Sequence, residues 1–169
     1  MTPNFARILV PVDFSTTSET AIVYAQALAA RFAAAIELLH VVEDPVASGA
    51  WDPDASYLTI PDLTDRLVED AGRRLADTKG RLDADGVTVE TRVVTGSPAR
   101  AIVAAAEEDG CDVIVMGTHG RTGLSHMLMG SVAERVIRTA GCPVLTVRHR
   151  STETIEEHAV AVEAVPSKR

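Results

Sequence analysis

The stretch MGTHGRTGLSHMLMGSVAER, Met116–Arg135, gathers four glycines and two histidines. Gly117 and Gly120 let a backbone turn sharply and present its N–H groups at close range. Gly130 and Ser131 then open a helical pattern, whose first N–H groups and positive dipole end attract phosphate. The spacing is G-x2-G-x9-G-S. It is neither the G-x4-G-K-[S/T] of a P-loop nor the G-x-G-x-x-G of a dinucleotide site. Lys79 and Lys168 are the only lysines, and neither is near the loop in sequence. The lysine that neutralises a transferring phosphate is therefore missing, with Arg121 a partial substitute, so the loop suits holding a nucleotide better than cleaving it. His119 and His126 have no visible carboxylate partner and read as loop residues, not as acid–base catalysts.

Composition narrows the partners. The formal charge of −8 argues against a nucleic-acid surface, because phosphate contacts along a polymer need clustered Lys and Arg. No run of about 18 apolar residues suggests a membrane span. The start, MTPNFARILVPVD, lacks the basic and apolar regions of a secretory signal. Cys111 and Cys142 are too few and too far apart for a CxxC redox or zinc pattern. Two reduced thiols in a cytoplasmic protein is the resulting expectation. No metal-ligand cluster and no nucleophile–His–Asp order stands out, so no catalytic residue is assigned.

A loop of this kind must be carried by strands and helices, and the chain alternates between them. Arg7–Val12 is an almost continuous apolar run, as for a strand covered on both faces. Thr16-Thr17-Ser18-Glu19 fits a capping box, and Ile22, Ala25, Leu28, Ala29 and Phe32 follow at helical spacing. Ile36–Glu43 is a second strand. A Pro-, Gly- and Ser-rich loop holding Trp51 and Tyr57 runs over residues 44–61, and an amphipathic helix over Leu63–Ala84. Val87–Gly96 is a third strand. Ser97 as N-cap, Pro98 in the first turn and Gly110 beyond the end delimit the next helix. Cys111–Gly117, apolar without alternation, is a fourth strand. A helix over Ser131–Ala140 and a strand over Pro143–Arg148 complete the pattern.

This order predicts a doubly wound α/β fold: an open, five-stranded parallel sheet with helices on both faces, Rossmann-like, spanning residues 1–149. Residues 150–169 form a polar tail, disordered or laid on a partner subunit. Ligands in such sheets bind outside the carboxyl ends of the strands, where the strand order reverses. Met116 and Gly117 end one strand there, and Pro11, Val12 and Asp13 lie beside them if the first and fourth strands are neighbours. Ser131 has a rival role, since Ser131-Val132-Ala133-Glu134 is itself a capping box. Asp13 has one too, as a cap on the turn that follows it.

At these residues the sequence resembles the universal stress protein family, in particular its ATP-binding branch, whose G-x2-G-x9-G-[S/T] pattern it matches in full. RILVPVDFS resembles the family's opening strand and LLHVVE its second. GSPARAIVAAAEEDGCDVIVMGTHGRTG resembles the third helix and fourth strand, and GSVAERVIRTAGCPVLTVR the close; the likeness runs from about Phe5 to Arg148. The resemblance implies the fold of the adenine nucleotide alpha hydrolases and a bound ATP, AMP or ADP, with magnesium arriving on the phosphates. Asp13 and the backbone of Pro11 and Val12 would contact adenine and ribose, and the Val41 backbone would meet adenine. Gly117, His119 and Gly120 would line ribose and the first phosphates, flanked by Met116, Thr118 and Arg121. Gly130, Ser131 and Val132 would hold the β- and γ-phosphates. It further implies a homodimer paired through the last strand, Val144–Val147, which would cover an apolar edge that otherwise invites aggregation. A slow ATP hydrolase and a nucleotide-free dimerisation module are the alternative functions.

Overall fold

The computed structural model describes residues 5–43, 60–118 and 129–148. They form β1 (Arg7–Pro11), α1 (Thr16–Phe32), β2 (Ala35–Glu43), α2 (Ile60–Ala84), β3 (Val89–Gly96), α3 (Pro98–Glu108), β4 (Val113–Gly117), α4 (Ser131–Thr139) and β5 (Val144–Val147). The strands make one parallel sheet in the order β3-β2-β1-β4-β5. The predicted doubly wound α/β architecture is present. The chain steps outward from β1 to β3, then returns to the other side of β1 for β4 and β5, so the order reverses between β1 and β4.

Strand alternation splits the core into two layers. Ile8, Val10, Ile36, Leu38, Val113 and Val115 pack with Ala21, Ile22 and Ala25 of α1 and Leu75 of α2. Leu9, Leu39, Ile114 and Met116 point the opposite way, against Ile102 of α3 and Val136 of α4. Side chains at positions i and i+1 of a strand emerge on opposite faces, so β1 must be apolar at every residue to serve both layers. Ile8, Leu9 and Val10 are all 0% exposed. Ile114→Ala would cost about 2–5 kcal/mol, because a two-sided slot between strands and helices collapses poorly.

Several boundaries depart from the sequence expectation. The N-cap of α1 is Ser15, not Thr16: the Ser15 hydroxyl accepts from the Ser18 N–H at 3.2 Å. Ser15 takes the position because Asp13 Oδ1 already fixes it, accepting from the Ser15 N–H at 3.1 Å and from its hydroxyl at 2.6 Å. α2 begins at Ile60, three residues before the expected Leu63, which puts Pro61 in the first turn where its missing N–H removes no helical bond. Ser97 occupies the N-cap of α3 as expected but makes no side-chain capping bond, and Gly110 turns the chain at φ 62° beyond the helix. Cys111 precedes β4 and sits buried in the second core layer. No helix among the described residues is long and apolar enough to cross a membrane. The loop with Trp51 and Tyr57, and the tail 150–169, lie outside the described residues.

Candidate functional site

The registers show where the sheet opens. β1 stays paired with β2 as far as Pro11↔Leu39, and β4 stays paired with β5 as far as Gly117↔Val147. Between β1 and β4 the register holds only Ile8↔Val113 and Leu9↔Ile114. The cause is legible in the backbone. Ala6 and Val12 bond to β2, through Ala35 N–H to Ala6 O and Val12 N–H to Leu39 O, whereas Arg7 O accepts from Asp112 on the β4 side. Pro11 shares the parity of Arg7, so the N–H that proline lacks would have faced β4. The ladder ends there, and the C-terminal ends of β1 and β4 part at the point of strand reversal.

One wall of this opening is the turn after β1. Phe14 adopts φ 63°, a left-handed backbone uncommon for an aromatic residue. Its ring lies 4.6 Å from that of His40 and is covered by the Arg74 guanidinium at 3.8 Å. Buried His40 donates from Nδ1 to the Val12 carbonyl at 2.6 Å. These contacts from β2 and α2 hold Pro11, Val12 and Asp13 in place. Neither His40 nor Arg74 was legible as part of the site: their relation to Phe14 exists only once three elements pack. Val41 lies two residues beyond Leu39 on β2, paired with Val94.

The other wall is β4 and the start of α4. Met116 and Thr118 are buried, and Gly117 ends the strand. Thr118 N–H bonds the Val147 carbonyl at 2.9 Å, and the Thr118 carbonyl accepts from Gly130 N–H at 2.7 Å. The first turn of α4 is thereby fastened to the end of β4. Gly130 is the N-cap at φ −74° and ψ 151°, and Ser131 is the first helical residue. The Ser131 capping box is thus displaced by one residue: the first helical bond runs from Glu134 N–H to Gly130 O at 3.0 Å. With glycine at the N-cap, the N–H groups of Ser131, Val132 and Ala133 have no protein partner among the described residues. His119, Gly120, Arg121 and His126 lie outside the described residues.

Burial pushes the Glu37 carboxyl up, against the opposing hydrogen bond from Arg7. Burial likewise pushes the Cys111 thiol up to about 11, which makes it an inert core residue at neutral pH. Both cysteines are free.

Comparison with known proteins agrees with this architecture. Residues 4–148 match the model of the universal stress protein family. Universal stress protein MJ0531 of Methanocaldococcus jannaschii is 36% identical over 154 residues, covering 88% of this chain and 85% of its own. The solved structure of MJ0577, a universal stress protein of the same organism, superposes with a TM-score of 0.77 at 34% identity, covering 88% of this chain and 99% of that one. A universal stress protein crystallised in complex with cAMP matches with a TM-score of 0.61 at 26% identity, covering 87% of this chain and 99% of its own. The chain belongs to the universal stress protein family.

Proposed function

We propose that the opening between β1 and β4 binds an adenine nucleotide, with ATP the foremost candidate and ADP and AMP the alternatives, and that the protein is a nucleotide-dependent stress-response protein of the ATP-binding branch. The observation that carries this reading is the first turn of α4, which has no side-chain cap among the described residues and is fastened to the end of β4. Its N–H groups and positive dipole end lie at the carboxyl end of β4, the strand that borders the gap left by Pro11. The relative in complex with cAMP supports an adenine ligand for this fold. Adenine and ribose would lie against Pro11, Val12, Asp13 and Val41. The phosphates would lie against Met116–Arg121, including Gly117, Thr118, His119 and Gly120, and against Gly130, Ser131 and Val132. Among the described residues no three His, Cys, Asp or Glu side chains converge as a metal site, so magnesium would be held chiefly by the phosphates.

The second part of the proposal is a homodimer through β5. This strand is the edge of the sheet, next to β4 alone, and Leu145 on it is 38% exposed. An apolar edge of that kind is satisfied by a second copy. Extraction of small molecules from protein purified without added nucleotide, followed by mass spectrometry and ATP titration, tests the ligand. Adenine nucleotide in the native protein and its absence from Gly130→Val is the expected result. A native protein that is empty and ignores added ATP would leave a dimerisation module as the better reading.

A further inference from the structure

A groove runs between α3 and α4 in two adjoining cavities of about 530 Å³ and 470 Å³, the second reaching the end of β3 at Thr95 and Gly96. Ser131 and Val132 line the first, together with Arg135 and Arg138; Arg135 also lines the second, with Arg100. Ser131, Arg135 and Arg138 sit at helical spacing on α4, so they share one face of it. Arg100 comes from the first turn of α3, whose N-cap Ser97 makes no side-chain bond. Arg100 and Arg135 have no carboxylate within ion-pair distance among the described residues. Among the described residues Arg138 has only a loose, solvent-exposed contact with Glu134 at 3.9 Å, and Glu134 is the one acidic side chain lining either cavity. In a chain of formal charge −8, three guanidinium groups facing one groove are a local reversal of sign.

Guanidinium groups pair with phosphate oxygens in bidentate geometry and keep their charge at any working pH. The groove begins at Ser131 and Val132, where the proposed nucleotide would place its distal phosphates. We infer that the α3–α4 groove is the polyphosphate arm of that site, with Arg135 and Arg100 selecting nucleotides by phosphate number. This rests on the nucleotide reading above. A monophosphate would end at the loop after β4 and leave the groove empty, whereas a triphosphate would set its terminal phosphate on the first turn of α4, one helical turn from Arg135 on the same face and in the same cavity. Arg135 is a specificity residue in this scheme, and the adenosine moiety is bound by other parts of the site.

Calorimetric titration of the full chain with AMP, ADP and ATP, at fixed ionic strength, tests this for the native protein, Arg135→Gln and Arg100→Gln. Both arginines are exposed, so the variants keep the fold, which circular dichroism checks. The expected result is a loss of about ten-fold or more in ATP affinity in Arg135→Gln, with AMP affinity within about two-fold of native. The salt dependence of ATP binding should also flatten in the variant. Equal losses for AMP and ATP, or no loss for either, would overturn the inference while leaving the nucleotide site standing. A native protein that binds none of the three overturns both.

Discussion

The Gly130 N–H donates to the Thr118 carbonyl at 2.7 Å, closing the glycine-rich loop at its base. One bond thus sets the distance between the last residues of β4 and the first turn of α4. Gly130 itself has an extended backbone that any residue adopts, so its glycine is not required by conformation. A side chain at this position would instead stand where the helix presents its donors. Gly130→Ser should raise stability by about 0.3 kcal/mol, because a serine N-cap takes up one of those N–H groups. Nucleotide affinity should fall in the same variant. Urea unfolding and nucleotide titration on one sample check the opposed signs.

Ser15 links the turn after β1 to α1 through its bonds to Asp13 and Ser18. Ser15→Ala should cost about 1 kcal/mol by loss of the N-cap. It should also weaken nucleotide binding through Asp13, whose carboxylate loses the hydroxyl that orients it. Ser15→Asp restores the cap but sets a second carboxylate beside Asp13, so it should recover stability without recovering affinity.

Glu37 supplies a pH signature of the sheet. It is 3% exposed, within 3.2 Å of Arg7 Nη2 and 4.0 Å of Arg92 Nη1. Burial raises its carboxyl above the ordinary 4.5 despite these cations. The folded state therefore holds the proton more tightly than the unfolded chain. The associated stability is complete below 4.5 and is lost as pH rises through the raised value. Relative to Glu37→Gln, the native protein should lose stability as pH rises from 4.5 through the raised value, as followed by urea midpoints. A difference that grows with pH would show that the arginines win over burial.

Leu145 on the edge strand and Ile137 on α4 are 38% and 42% exposed. Leu145→Glu should raise the dissociation constant of the proposed dimer about a hundred-fold, since a carboxylate would be buried in an edge-to-edge contact. Sedimentation of the native protein should give twice the chain mass, and of the variant the chain mass alone.

Gly72 and Gly80 lie inside α2, and a Cβ at either would meet nothing within 4 Å. Gly72→Ala and Gly80→Ala should each stabilise by about 0.8–1.0 kcal/mol through helix propensity, seen as additive shifts in the urea midpoint.

The order of elements was legible in the amino-acid sequence because periodicity is a local property. The unbroken apolar run of β1, the helical spacing from Ile22 to Phe32 and the Ser97-Pro98 start of α3 each report on burial a few residues at a time. The sequence by itself also marked the Gly-Ser start of α4. The capping residues were read less well, at Ser15 before α1 and Gly130 before α4, since two adjacent residues can each stand at the cap and only the packed structure chooses between them. Tertiary structure alone decided that β1 lies beside β4, which turned the missing N–H of Pro11 into an opening in the sheet. It also brought Arg74 over Phe14 and Arg100 into the same groove as Arg135. Those residues are far apart along the chain, and no local pattern encodes their meeting. What joins them is the burial of two apolar layers on one sheet, a non-local free energy that fixes the strand order first and the site with it.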